Sequence, residues 1–92
     1  MRIRWTASAA SDLTGICDYV EEHDGPAMAR RLASGIYERV EALSQFPRRG
    51  RTGRRPGTRE LVLPRLPYVV VYRIRDDVVE VVRILHGAQQ WP

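Results

Sequence analysis

The tripeptide Asp24-Gly25-Pro26 divides the first half of the chain into two stretches with helical periodicity. Apolar residues recur there every three or four positions: Ala9, Leu13, Ile16 and Val20 before the tripeptide, and Ala29, Leu32, Ile36, Val40 and Leu43 after it. Each set therefore shares one side of an α-helix. Proline is favoured at the first helical position, so the second helix is predicted to begin at Pro26. Helices joined by so short a loop lie antiparallel, as a hairpin with one apolar surface to cover.

The second half of the chain can provide a sheet for that surface. Residues 59–63, 67–75 and 78–86 are rich in valine, isoleucine and tyrosine, which favour strands. Residues 2–5 alternate polar and apolar side chains, as a short strand does. The predicted class is α+β: a short N-terminal strand, then an antiparallel helical hairpin packed on one face of a small antiparallel sheet, in the order β-α-α-β-β-β. A length of 92 residues predicts a single domain, residues 1–92.

A two-residue turn at Asp76-Asp77 would set the register of the last two strands, because it places Arg73 opposite Glu80. In that register one face carries Tyr68, Val70, Tyr72, Ile74, Val79, Val81 and Leu85, and we expect the helices to cover it. The other face carries Val69, Val71, Val82 and Ile84, with Arg73, Arg75, Glu80 and His86 at one end. Arg83 falls on the helix side, where it fits badly. Because the helices cover one side, the second apolar face is expected to bind a partner.

Composition excludes several classes of protein. No apolar run approaches the ~20 residues of a membrane span, and the N-terminus lacks the long apolar stretch of a signal peptide, so a cytoplasmic location without membrane contact is predicted. The single cysteine, Cys17, rules out an internal disulfide framework. Histidine and cysteine residues show no metal-ligand spacing, so neither a metal nor another cofactor is expected.

The segment from Pro47 to Glu60, PRRGRTGRRPGTRE, concentrates the positive charge of the chain. Residues 48–65 carry seven arginines and one glutamate, whereas residues 6–47 are net acidic. The segment holds too much glycine and proline for a helix or an ordinary strand. Two interpretations remain open: a solvated connector, or a surface that presents charge to an acidic partner. The candidate partner-contact residues are Arg48, Arg49, Arg51, Arg54, Arg55 and Arg59.

The order of these elements, with GTRELV at 57–62, PYVVVYRI at 67–74 and VVRILHGAQQWP at 81–92, resembles the RelE/ParE superfamily of type II toxin-antitoxin toxins. Asp12-Leu13 in the first helix and Pro47 with Gly50 after the second add to the resemblance, which covers essentially the whole chain. It implies a plasmid-stabilisation toxin in a hetero-oligomer with a cognate antitoxin, ParD-like or other, whose C-terminal segment lies along the toxin. On this interpretation the antitoxin contacts Val69, Val71, Val82 and Ile84, or the outer surface of the helices.

The superfamily divides by mechanism, since ParE-like members poison DNA gyrase and RelE-like members cut messenger RNA on the ribosome. RelE-like toxins commonly have an arginine after the tyrosine of the middle strand and basic residues in the tail. Here Val69 follows Tyr68, Ala88 stands in the tail, and lysine is absent. The resemblance therefore favours a ParE-like toxin that acts on gyrase without hydrolytic chemistry.

Two alternatives remain open. The first is a ribosome-dependent ribonuclease, with catalytic groups drawn from Arg59, Glu60, Arg73, Arg75 and His86, acting as acids, bases and phosphate ligands. The second is a DNA-binding protein that uses its arginines on phosphates. This last alternative needs a basic recognition helix, and the predicted helices are net acidic.

Overall fold

The computed structural model describes residues 1–87, so Ala88 lies outside the described residues. Eight elements follow one another along the chain: β1 (Arg2–Trp5), α1 (Ala7–Asp24), α2 (Pro26–Glu41), a short 3-10 helix (Ala42–Ser44), β2 (Arg51–Thr52), β3 (Arg59–Val62), β4 (Tyr68–Arg75) and β5 (Val78–His86). The predicted fold class is confirmed. The strand β2 is additional to the prediction.

The helical hairpin begins and turns where the sequence predicts. The Thr6 hydroxyl accepts a hydrogen bond from the amide of Ala9 at 3.1 Å and so caps α1. Gly25 joins the two helices with φ 92°, a conformation that glycine adopts without strain, and Pro26 opens α2. Among residues 1–87, no helix has the length and apolar content needed to cross a membrane.

The sheet has the strand order β1-β5-β4-β3-β2. Strands β3, β4 and β5 pair antiparallel, as predicted, and the additional β2 pairs antiparallel with β3. In contrast, β1 runs parallel to β5, with Ile3 opposite Val79 and Trp5 opposite Val81. The N-terminal strand therefore closes one edge of the sheet against the last strand of the chain. The short β2 covers only part of the opposite edge.

The core lies between the helical hairpin and one face of the sheet. The helices and the 3-10 helix contribute Ala9, Ile36, Val40 and Leu43; the second half of the chain contributes Leu61, Leu63, Val70, Tyr72, Val79, Val81 and Ile84. These side chains are buried. At about 25 cal/mol per Å² of apolar area, this burial is the main source of stability.

A β-bulge corrects the predicted faces of β5. The pairs Arg73–Glu80 and Tyr72–Val81 match the expected register, but Val71 lies opposite Arg83, which leaves Val82 without a partner in β4. An extra residue in one strand reverses the facing of all residues beyond it. Beyond the bulge the predicted faces of β5 were therefore wrong.

The four residues beyond the bulge, Arg83 to His86, change faces in the backbone register as a result, and His86 now lies opposite Tyr68. Ile84 lies opposite Val70 and belongs to the core under the helices, although it was placed on the far face. Leu85, assigned to the helix side, lies opposite Val69, and Arg83 lies opposite Val71. The bulge therefore puts Ile84 on the core face, while the side chain of Arg83, although this residue pairs with Val71, still reaches Asp12 of α1.

Asp12 of α1 fixes the position of the bulge. Its Oδ2 accepts hydrogen bonds from Arg83 Nε at 2.7 Å and from the backbone amide of Ile84 at 2.9 Å, while Oδ1 accepts from Arg83 Nη2 at 3.1 Å. The hydrogen bond to Asp12 raises the pKa of Arg83. The Asp12 carboxylate thus joins α1 to β5. It also binds the backbone amide of Ile84, which lies beyond the last residue of β5 that pairs with β1.

We expect Asp12→Ala to lower the free energy of unfolding by about 1–3 kcal/mol, because it leaves the amide of the buried Ile84 without its hydrogen-bond partner. The measurement is urea unfolding at neutral pH. Asp18→Ala, an exposed position on the same helix, is the control and should change stability by no more than about 0.5 kcal/mol. Equal losses in the two variants would contradict a specific role for Asp12.

Candidate functional site

The arginine-rich segment is a folded hairpin that hydrogen bonds attach to β4 of the sheet. The hydroxyl of the buried Tyr72 donates to the carbonyl of Pro47 at 2.6 Å and accepts from the amide of Gly50 at 2.9 Å. A Cβ at position 50 would lie 2.7 Å from the Tyr72 ring, so only glycine fits there. Burial raises the pKa of Tyr72, although the Gly50 hydrogen bond and the Arg59 charge oppose the change. The hydroxyl therefore keeps the proton that it donates to Pro47.

Glu60 holds the tip of this hairpin. Its Oε1 accepts from Arg51 Nη2 at 3.0 Å, and its Oε2 accepts from the Arg54 amide at 3.0 Å and from Arg54 Nε at 3.1 Å. Burial alone would raise the pKa of Glu60, but these hydrogen bonds outweigh it and hold the pKa below its ordinary value. Arg51 and Arg54, both predicted to contact a partner, thus neutralise a carboxylate within the chain.

A cavity of about 360 Å³ opens beside this hairpin. Three arginines, one glutamate and an apolar wall line it: Arg39, Arg49, Arg51, Glu60, Leu61, Val62, Leu63 and Pro64. Because the glutamate is already bound by Arg51 and Arg54, the remaining charge of the cavity is positive. Arg49 also stacks over the exposed ring of Phe46, 4.9 Å from its centroid, which extends the apolar and cationic surface.

The cavity borders an open edge of the sheet. Strand β2 pairs only with Arg59 and Glu60, so within residues 1–87 no strand covers β3 from Leu61 onward on that side. The backbone amide of Leu63 donates a hydrogen bond to the Tyr68 carbonyl of β4. Successive residues of a strand direct their N–H and C=O groups to opposite sides, so those of Val62 point away from β4, toward the open edge. Val62 itself is 50% exposed. An open edge with an exposed apolar side chain is a place where an extended peptide can add as a strand.

A second buried glutamate lies on the face away from the helices. Arg4 of β1 and Arg73 of β4 both bind the carboxylate of Glu80, and the Arg73 Nε–Oε1 distance is 2.5 Å. The hydrogen bonds from Arg4 and then Arg73 hold the pKa of Glu80 below its ordinary value. This arrangement joins three neighbouring strands and confirms the predicted pairing of Arg73 with Glu80.

The residues considered for a ribonuclease do not converge on one site. Arg59 and Glu60 are consecutive in β3 and so point to opposite faces. Arg59 Nη1 donates to the carbonyls of Gly50 at 2.8 Å and Arg48 at 3.3 Å. His86 lies opposite Tyr68 and stacks edge-on against its ring, at the other end of β4 from Arg73. Arg75 is exposed at the turn.

The residues predicted to bind the antitoxin do not form a free surface. Val69, Val71 and Ile84 are buried within the chain, with Val71 0% and Ile84 3% exposed, and Val82 is partly buried at the bulge. Ile84 also faces the helices. The expectation of an uncovered apolar face was wrong, because Val69, Val71 and Leu85, which share that face, are all buried within the chain.

Five residues of the cavity, Arg39 and residues 61–64, were not recognised from the sequence as site residues. Pro64 was an available signal, because proline ends strands and favours sheet edges, so the strand before it was a candidate edge strand. Arg39 gave no signal, since it is one of several polar residues on the exposed side of α2. Within residues 1–87, no three histidine, cysteine, aspartate or glutamate side chains are placed to hold a metal ion.

Comparison with known proteins gives the family. The model of the ParE toxin of the type II toxin-antitoxin system parDE matches residues 3–91. A putative toxin of Sinorhizobium fredii, Y4kP, is 46% identical over 91 residues, covering 99% of this chain and 93% of that protein. Toxin RelE2 of Caulobacter vibrioides is 35% identical, covering 96% and 97%. The chain therefore belongs to the ParE toxin family, within the RelE/ParE superfamily, and is a type II toxin.

Two solved structures agree with this assignment. The chromosomal ParDE toxin-antitoxin system from P. aeruginosa contains a chain that is 33% identical, with a TM-score of 0.88 over 94% of this chain and 95% of that one. The toxin-antitoxin complex RelBE2 from Mycobacterium tuberculosis has 30% identity and a TM-score of 0.63, over 92% and 95%. Both belong to toxin-antitoxin systems, which supports an antitoxin as a partner of this chain.

We expect Glu60→Gln to lower the free energy of unfolding at pH 7 by about 1.5–3 kcal/mol, because it removes the charge that two arginines share. Because the pKa of Glu60 is lower in the folded protein, its charge contributes to folding stability at every pH above its ordinary pKa of 4.5. That stability is lost as the pH falls through the lower pKa of Glu60 in the folded protein. Urea unfolding of protein and variant from pH 7 to pH 3 should therefore show two curves that converge in acid.

Glu38→Gln, an exposed position on α2, is the matched control and should leave stability unchanged across this range. A second measurement is tryptic cleavage in the hairpin, which should accelerate in Glu60→Gln and not in Glu38→Gln, because a free-energy loss of 1.4 kcal/mol corresponds to about tenfold more opening. A constant stability difference between pH 7 and pH 3 would show that the Glu60 charge has no part in the hairpin.

Proposed function

We propose that this toxin is ParE-like in mechanism: it arrests bacterial growth by acting on DNA gyrase, and a cognate antitoxin neutralises it. The observation that carries the proposal is the separation of the groups that a ribonuclease would need. General acid-base cleavage requires its acid, its base and its phosphate ligands within hydrogen-bond reach of one phosphodiester. The described structure distributes them over two faces and two ends of the sheet.

The distances along the sheet make this separation concrete. Tyr68, which pairs with His86, and Tyr72, which pairs with Arg59, are four residues apart in β4. At roughly 3.3 Å per residue, His86 lies about 13 Å along the strand direction from the row of Arg59. A single phosphate cannot bridge that gap. Residues 88–92, Ala-Gln-Gln-Trp-Pro, add no acidic or basic side chain to the tail.

Two of the charged candidates, Glu60 and Arg73, are also bound in ion pairs within the chain. Glu60 is held by Arg51 and Arg54, and Glu80 holds Arg73. A carboxylate whose pKa lies below its ordinary value is a weak base. These groups stabilise the sheet and the hairpin, and we assign them a structural role. The high TM-score to the ParDE chain supports the same mechanism.

The open edge of β3, together with the cavity beside it, is the proposed antitoxin-binding site. It offers backbone groups around Val62, an apolar wall and the cationic side chains of Arg39 and Arg49. Such a surface suits an extended segment with apolar and acidic side chains. This site replaces the four sheet residues suggested by the sequence. Because the gyrase of a bacterium lies in the cytoplasm, the proposed location of the toxin is the cytoplasm as well.

Production of this chain without its antitoxin should arrest growth, induce the DNA-damage response and accumulate DNA breaks covalently linked to gyrase. The reason is that a gyrase poison traps the cleaved complex. Purified translating ribosomes incubated with the toxin should keep their messenger RNA intact. The control is the same chain produced together with its antitoxin. Codon-specific cleavage on the ribosome that His86→Ala abolishes would overturn the proposal and establish a ribonuclease.

Val62→Asp should weaken antitoxin binding at least about tenfold, because it places an unpaired carboxylate in an apolar contact beside an acidic partner. Isothermal titration with the purified antitoxin gives the affinity. Met28→Asp, on α2, is the matched control, since Met28 is 45% exposed and lies outside the cavity. The melting temperatures of both variants should stay close to that of the unmodified toxin. Unchanged affinity for Val62→Asp would exclude the β3 edge.

A further inference from the structure

A second, smaller cavity of about 270 Å³ lies at the arginine hairpin. It is lined by Arg48, Thr52, Gly57, Thr58, Arg59 and Ile74, and it shares none of these residues with the cavity at the β3 edge. Two guanidinium groups and two hydroxyl groups thus border one small space. No carboxylate lines it, in contrast to the larger cavity.

Two paired strands position the polar groups of this cavity. Thr52 of β2 lies opposite Arg59 of β3, and the turn that joins the strands places Thr58 beside them. The carbonyls of Gly50 and Arg48 hold Nη1 of Arg59, so the guanidinium is oriented before any ligand arrives. Its Nε and Nη2 donate no hydrogen bond to another described residue. They are donors left for a ligand.

The charge of this cavity is not compensated within it. Glu60, the nearest acidic residue in the sequence, points to the opposite face of β3 and is bound by Arg51 and Arg54. The exposed side chain of Arg48 forms neither a hydrogen bond nor an ion pair with any residue of the described range. Arg48 and Arg59 therefore present two positive charges, which an anion can approach without meeting a carboxylate.

We propose that this cavity binds a phosphodiester group of a nucleic-acid backbone. Guanidinium groups pair with phosphate oxygens through parallel N–H donors, and the hydroxyl of Thr52 adds a neutral donor, whereas the Thr58 hydroxyl already donates to the Arg55 carbonyl at 2.7 Å. An acidic peptide would need apolar pockets for its other side chains, and here Ile74 is the one aliphatic residue of the lining. The inference is independent of the proposed target, because both gyrase and the ribosome hold nucleic acid.

The test measures binding of the full 92-residue toxin to fluorescein-labelled 20-nucleotide single-stranded DNA and to RNA of the same sequence, by anisotropy at several salt concentrations. Arg48→Gln should weaken binding about five- to tenfold. The substitution should also make the logarithm of the binding constant less steeply dependent on the logarithm of the salt concentration, by about 0.7 in slope, which is the value for one phosphate contact on a single strand. Thr52→Val should weaken binding about threefold. Inorganic phosphate should compete with the labelled strand.

Arg30→Gln is the charge-matched control, since Arg30 is exposed on α2 and outside this cavity. Its effect should stay below about twofold. Melting curves should show that Arg48→Gln folds like the unmodified toxin, because its side chain has no polar contact with the described residues to lose. A preference for the DNA or the RNA strand identifies the source of the phosphate, and either preference supports the site.

Two outcomes would overturn the proposal. If Arg48→Gln and Thr52→Val weaken binding no more than Arg30→Gln, the attraction to nucleic acid comes from net charge alone. If a labelled glutamate-rich peptide of equal charge binds as tightly as the DNA and loses affinity in Arg48→Gln by the same factor, the cavity is a general site for acidic chains. Growth arrest is measured separately. If a variant loses toxicity but keeps its affinity for nucleic acid, the result bears on the proposed gyrase target and leaves the phosphodiester site supported.

Discussion

The buried carboxylate of Glu60 is the contact on which the arrangement of the positive surface depends. It binds two arginines of the hairpin and offsets one of their two positive charges. The arginines that remain are divided between two surfaces: Arg49, with Arg39, faces the open edge of β3, and Arg48, with Arg59, faces the smaller cavity. The basic segment thus contributes arginines to two separate cavities, which are the two proposed binding sites.

The sequence was sufficient for the two helices, the other four strands and their order, though not for the 3-10 helix or the two-residue β2, because periodicity and turn residues are local signals. The stripe from Ala29 to Leu43 and the Asp24-Gly25-Pro26 break led directly to the helical hairpin. The bulge at Val82 was beyond such reasoning. It depends on Asp12, which is 72 residues from Ile84 in the sequence. The Asp12 carboxylate accepts the hydrogen bond of the Ile84 amide, which a neighbouring strand would accept in a regular sheet. Only the misfit of Arg83 on the helix side indicated that the register changed.

The candidate site was predicted less well than the fold. The arginine segment was recognised as a partner surface from its charge, but charge does not tell which arginines are bound internally. That distinction required the position of Glu60 between two strands, with Arg51 opposite it. The apolar residues of the sheet were taken as a free face because alternation was assumed to continue through β5. Val62 was overlooked because an open edge is a property of strand order, which the residues of one strand do not reveal.

The parallel pairing of β1 with β5 joins strands that are far apart in the order of synthesis. Residues 2–5 are made before the helices, whereas their partners, residues 78–81, are made after all the other strands of the sheet. The strand β1 therefore cannot join the sheet until β5 has been made, and Arg4 has no Glu80 to bind until then. A chain stopped before β5 lacks Val79, Val81 and Ile84 from its core. Premature termination before β5 thus yields an unfinished sheet and no folded toxin, so the activity of the protein can appear only after this strand has been translated.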